Sequence, residues 1–216
     1  MSLIILKNIK KEYGKKHILF NDLSLEIDQG EFVGLIGRSG AGKTTLLNII
    51  GLITDVSAGS IMIDNYKNLS MNSKNAMLLR RHTIGYLFQN YGLVEDESVL
   101  WNLKLALEYK KMSKDEKLRK INKYLEQFGL GDMLNKKIYQ LSGGEQQRIA
   151  IIKLILQGSK IILADEPTSG LDQENETIVM SLLKKLNDSG ITIIMVTHNM
   201  NLCNYFSRVI NVENYR

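Results

Sequence analysis

Residues 31–51 limit the folds open to this chain more than any other stretch. Glu31–Ile36 is a short apolar run, and Gly37-Arg-Ser-Gly-Ala-Gly-Lys-Thr44 is a glycine-rich turn. Lys43–Gly51 then continues as an apolar segment with helical character. A strand that enters a helix through GxxxxGK[ST] has the context that gives this pattern meaning. The glycines let backbone amides come close to an anion, and those amides join the helix N-terminus in a site for phosphate groups. In such a cradle Lys43 would bridge β- and γ-phosphates and the Thr44 hydroxyl would ligand Mg²⁺. Gly37, Arg38, Ser39, Gly40, Ala41, Gly42 and Thr45 supply the rest of the loop.

The remaining pattern agrees with a parallel sheet covered on both faces. Alternating stretches around Leu3–Lys10 and Ile18–Ile27 predict strands, as does Ser60–Asp64. Ile84–Phe88, Lys160–Ala164 and Ile191–Val196 are continuous apolar runs, the mark of strands buried on both sides. Helical stretches separate them: Val99–Phe128, with Ser113 and Glu116 at capping-box spacing, then Gly144–Gln157 and Asn175–Leu186. The predicted fold class is therefore α/β, with a mostly parallel sheet and an N-terminal antiparallel β region. A single domain over 1–216 is expected, with about 1–89 and 146–216 as core and about 90–145 as a helical subdomain.

Leu141-Ser-Gly-Gly-Glu-Gln-Gln-Arg148 opens the helix expected at Gly144. Ser142 and Glu145 fit a plain S-x-x-E helix cap, and a capped glycine-rich helix start is also an anion site. With the phosphate loop upstream, these residues resemble the signature motif of the ATP-binding cassette (ABC) family, usually LSGGQ. The resemblance implies a nucleotide-binding subunit of an ABC transporter that binds ATP with Mg²⁺ and forms a homodimer on binding it. Ser142, Gly143, Gly144 and Glu145 would then meet, in trans, the γ-phosphate of ATP held by the other copy. Glu145 departs from the usual Gln and adds a carboxylate near a polyanion.

Ile161-Ile-Leu-Ala-Asp165-Glu166 is an apolar strand ending in two adjacent carboxylates, an arrangement that is costly unless a cation or ligand uses them. By resemblance Asp165 holds Mg²⁺ through its water shell and Glu166 polarises the attacking water. Gln89, at the end of Ile84–Phe88, resembles the glutamine that touches Mg²⁺ and senses the membrane partner. His198 resembles the histidine that contacts the γ-phosphate, and Tyr13 the aromatic that stacks on adenine. Pro167-Thr-Ser-Gly-Leu-Asp172, which holds the only proline, resembles the loop that runs along the dimer interface in relatives. Arg148 and Lys153 read as helix-surface charges.

Within the family, Arg80-Arg-His-Thr-Ile-Gly-Tyr-Leu-Phe-Gln89 resembles the lipoprotein-release and macrolide-export branch. Asn90–Val99 is similar to bacteriocin-export or immunity cassettes of Gram-positive bacteria. The implied function is to power a separate membrane permease exporting a peptide, bacteriocin or lipophilic substrate. The alternative is a non-transport ABC ATPase in DNA repair or translation, whose relatives usually carry coiled coils, zinc modules or two cassettes. An unrelated phosphate-loop kinase would lack Leu141–Arg148.

Charge and composition fit the first reading. The net charge is +5, and residues 110–137 account for it with nine basic and four acidic side chains. A solvated helix face near anionic headgroups explains the excess without nucleic acid. One cysteine, Cys203, excludes an internal disulfide and indicates a reducing compartment. No apolar run approaches the roughly 18 residues of a membrane span. The expected location is cytoplasmic, peripheral on the inner face of the cell membrane and without direct membrane insertion.

Overall fold

The apolar runs form two sheets in a computed structural model that describes residues 1–14 and 17–215. β1 (Ser2–Tyr13), β2 (His17–Asp28) and β4 (Ala58–Ile63) make an antiparallel sheet in the order β2-β1-β4. β3 (Phe32–Ile36), β5 (Ile84–Leu87), β6 (Ile161–Asp165), β7 (Thr192–Val196) and β8 (Arg208–Asn211) make a second sheet. Its order is β5-β6-β7-β3-β8 and every pairing is parallel, with Val33 opposite Ile194 and Ile161 opposite Thr192. Parallel pairing brings the carboxyl ends of β3, β6 and β7 to one edge. There the Glu166 amide donates to the Val196 carbonyl at 3.1 Å and the Thr197 amide to the Leu35 carbonyl at 3.3 Å.

Among the described residues six α-helices accompany the sheets: α1 (Lys43–Ile50), α2 (Lys74–His82), α3 (Val99–Ala106), α4 (Lys114–Gln127), α5 (Gly143–Gln157) and α6 (Gln173–Asp188). On one face of the parallel sheet, Leu46, Leu47, Ile49 and Ile50 of α1 share a core with Leu163, Ile194 and the inner residues of the antiparallel sheet. On the other, Ala150, Ile151 and Leu154 of α5 and Val179, Met180 and Leu183 of α6 pack on Ile162, Ala164, Ile193 and Met195. The opposite face of α5 (Ile149, Ile152, Leu156) closes a third cluster with Leu103 of α3 and Ile121 and Leu125 of α4. α5 thus binds the helical layer to the sheet by sharing its two faces between them.

Three details differ from the sequence reading. The single helical stretch expected over Val99–Phe128 is two helices, because α3 ends at Leu107 and Ser113 caps a new start. The Ser113 amide donates to Glu116 Oε2 at 2.7 Å and the Glu116 amide to Ser113 Oγ at 3.2 Å. α2 has only Ala76 and Leu79 buried, too few apolar positions to announce a helix. β8 buries only Ile210, because it is the edge strand beside β3.

Candidate functional site

The Gly37–Thr44 loop takes its shape from glycines in the left-handed region. Gly40 has φ +76° and Gly42, the N-cap of α1, φ +97°. At Gly42 a Cβ would also lie 2.8 Å from the Phe20 ring, so only glycine fits there. No side chain caps α1 and no acidic residue stands in its first turn. Its positive end is left to the amides of the loop. Lys43, only 8 % exposed, folds over the loop and donates to the carbonyls of Gly37 at 2.8 Å and Arg38 at 3.0 Å. Arg38 is exposed and its amide donates to Glu213 Oε1 at 3.1 Å, which ties the loop to the chain end of the described residues.

β6 delivers the two carboxylates beside this loop. The Thr44 hydroxyl donates to Asp165 Oδ1 at 3.2 Å. Burial pushes the Asp165 carboxyl above the usual carboxylate range; the Thr44 bond opposes that, the Glu166 charge adds to it, and Lys43 opposes it again. Glu166 sits at φ +46°, a left-handed conformation that costs a non-glycine residue roughly 1–3 kcal/mol. The turn this conformation makes, just before Pro167, aims Glu166 at the end of β7. His198 Nδ1 lies 3.2 Å from Glu166 Oε2.

A cleft of about 540 Å³ separates these groups and collects them. Gly37, Ser39, Gly40, Gly42, Lys43, Thr44 and Thr45 line it together with Glu166 and His198. Tyr13 and Leu19 form the wall contributed by the antiparallel sheet. The Tyr13 hydroxyl is 3.4 Å from Thr45 Oγ1 and its ring lies beneath Lys11 Nζ, 4.9 Å from the ring centre. A phosphorylated ligand would find amides, a lysine and a hydroxyl in the same cleft as a carboxylate with an imidazole.

Thr44 and Asp165 together offer a hydroxyl and a carboxylate oxygen, hard donors of the kind Mg²⁺ takes alongside waters and substrate phosphates. Among the described residues no group of three or more His, Cys, Asp or Glu side chains could hold a metal without such a substrate.

The remaining expected residues lie elsewhere. Ala41 is buried inside the loop. Gln89 is exposed in the turn after β5 and does not line the cleft. Ser142, Gly143, Gly144 and Glu145 open α5 outside the cleft. Ser142 is the N-cap and forms a complete capping box with Glu145. A Cβ on Gly144 would collide with the Asn175 carboxamide of α6, and one on Gly143 would lie 3.0 Å from the Tyr91 hydroxyl. The glycines therefore allow α5 to start against both α6 and the turn after β5.

Lys153 corrects the sequence reading. It does not stand on the helix surface but donates to the Gly92 carbonyl at 2.8 Å, and burial lowers its pKa. It pins the turn after β5 to α5, next to the contact between Tyr91 and Gly143. The left-handed pair Tyr91–Gly92 at φ +63° and +61° gives that turn its shape. The one usable sequence signal was the glycine after an aromatic.

A family described as ABC transporter matches residues 20–169. An ABC transporter ATP-binding protein of Methanocaldococcus jannaschii, MJ1508, is 41 % identical over 98 % of this chain and 96 % of its own length. The macrolide export ATP-binding/permease protein MacB of Campylobacter jejuni is also 41 % identical, over 98 % of this chain. This chain spans 33 % of the length of MacB. Among solved structures, the dimeric ATP-binding cassette MJ0796 in a post-hydrolysis state bound to ADP and Pi superposes with a TM-score of 0.87. It is 37 % identical, and the match covers 96 % of this chain and 93 % of that one.

Proposed function

The chain belongs to the ABC transporter family as an ATP-binding cassette with ATPase chemistry, and from that premise we propose that it powers a separate membrane permease. Two copies sandwich two ATP molecules, each held between the phosphate loop of one copy and Ser142–Glu145 of the other. The permease exports a peptide, bacteriocin or lipophilic substrate, and the cassette works from the cytoplasmic face of the membrane. Support for export comes from the similarity to MacB, and support for the dimer from the dimeric MJ0796 structures. No helix among the described residues is long and apolar enough to cross a membrane.

The observation that carries this reading is the Glu166–His198 pair lining one cleft with Lys43 and Thr44. Lys43 exchanges the Gly37 and Arg38 carbonyls for phosphate oxygens, so its charge reaches the γ-phosphate without rebuilding the loop. Tyr13 packs against adenine at the rim. Glu166 orients the attacking water and accepts its proton, while His198 holds the Glu166 carboxylate in place and approaches the γ-phosphate. Thr44 and Asp165 would hold Mg²⁺. When bound, the ion neutralises charge on the β- and γ-phosphates.

Glu166→Gln keeps the shape of the side chain but removes the base. The variant binds ATP and accumulates as a dimer, while turnover falls about 10²- to 10⁴-fold in a phosphate-release assay. Near-normal hydrolysis would remove Glu166 from this role. Co-purification with a membrane protein from detergent-solubilised cells tests the permease; recovery with ribosomes or DNA instead would overturn it.

A further inference from the structure

The start of α5 already holds an anion of its own. Ser142 donates its amide hydrogen at 2.7 Å and its hydroxyl hydrogen at 2.9 Å to the same atom, Glu145 Oε2. It also accepts the Glu145 amide on Oγ at 3.4 Å. The amide and hydroxyl of Ser142, with the amides of the first turn, are the donors a phosphate oxygen would need at this helix start. The carboxylate is kept ionised, chiefly by the Ser142 amide bond and also by the Ser142 hydroxyl, Arg148 and Lys136. Among the described residues no lysine or arginine closes an ion pair with it. Its hold on Ser142 is a local hydrogen-bonded latch rather than a salt bridge. The latch cannot retreat with its helix, because Gly144 is pressed against Asn175 of α6.

We propose that Glu145 is a resident competitor for the phosphate that α5 receives, so that it sets how tightly two ATP-loaded copies associate. This rests on the reading that Ser142–Glu145 meets the γ-phosphate held by a second copy. Nucleotide arriving on that copy must displace the carboxylate before Ser142 can donate to it, and the displaced group stays close to a polyanion. A carboxamide at this position keeps an oxygen for the cap and removes the repulsion. A cap without competition has the opposite consequence, since weakening it loosens the helix start and the association together.

The test compares the Glu166→Gln chain, which retains ATP, with the Glu145→Gln/Glu166→Gln chain. The dissociation constant of the ATP-bound dimer is read by sedimentation velocity, and the melting temperature without nucleotide is read alongside. The expected result is a dimer roughly tenfold tighter in the double variant, counting one relieved repulsion per composite site. The nucleotide-free melting temperature is the same or lower. Glu145→Ala in the same background loses the back-bond to Ser142, and it still associates more tightly although it melts earlier. An unchanged or weaker dimer in both Glu145 variants overturns the proposal. If the Glu166→Gln chain itself forms no ATP-dependent dimer, the sandwich reading falls and takes this proposal with it.

Discussion

Asp165 accepts the Thr44 hydroxyl at 3.2 Å at the half-buried end of β6, and burial raises its pKa. An acid whose folded pKa lies above its unfolded value binds more protons folded than unfolded between the two. Stability therefore falls as pH rises through that window, from the ordinary carboxylate range upward. The nucleotide-free chain is expected to lose thermal stability as pH rises from about 4 toward neutrality through this group. Asp165→Asn should flatten that slope and raise the melting temperature near pH 7 while reducing ATP hydrolysis. A variant that melts earlier at neutral pH would show that the ionised carboxylate stabilises the fold. The same tension explains why the site was legible from one sequence. Adjacent carboxylates ending an apolar strand have no structural advantage, and a glycine-rich turn ending in Lys-Thr has a chemical one. Lys153 was less legible, because a lysine in a helix gives no sign that its partner is a carbonyl 61 residues away.

At the scale of elements, α5 decides how the parts meet. One face packs on the sheet, the other on α3 and α4, and its first turn touches α6 and the turn after β5. Gly144→Ala puts a methyl group where the Asn175 carboxamide lies. The expected cost is about 1–3 kcal/mol in chemical denaturation, from overpacking between two helices. A cost below 0.5 kcal/mol would mean that Asn175 simply swings away. The sequence presents this glycine as part of a phosphate-binding turn, but its steric role needs the packing of α6. The same limit hid α2 and β8, which bury only two residues and one residue respectively. β6 and β7 are legible because each carries an unbroken apolar run, Ile161–Ala164 and Ile193–Val196, the pattern of a strand covered on both faces. The helix break after Leu107 left a partial trace, since the Ser113–Glu116 cap was visible while the end of α3 was not.

For the whole molecule, the parallel order β5-β6-β7-β3-β8 places the phosphate loop, Glu166 and His198 on one edge, as open α/β sheets place their ligands. None of the basic residues of 110–137 lines the cleft at that edge. Lys111, Lys114, Arg119, Lys123, Lys136 and Lys137 are exposed, and the cleft draws its positive character from amides and Lys43. Ser142–Glu145 stands outside the cleft of its own chain, and in the proposed sandwich a second copy brings the two together. The most direct test mixes two singly disabled chains. Lys43→Ala loses the phosphate loop and Ser142→Arg blocks the α5 start, so each alone should hydrolyse ATP at least about 100-fold more slowly than the parent chain. In the mixed dimer one site carries both defects and the other carries neither. Steady-state phosphate release should therefore reappear on mixing, up to about half of the parent rate per mixed dimer if the two sites work independently. A mixture as inactive as its components would contradict the account, because it would mean that the phosphate loop and Ser142–Glu145 do not act across two chains.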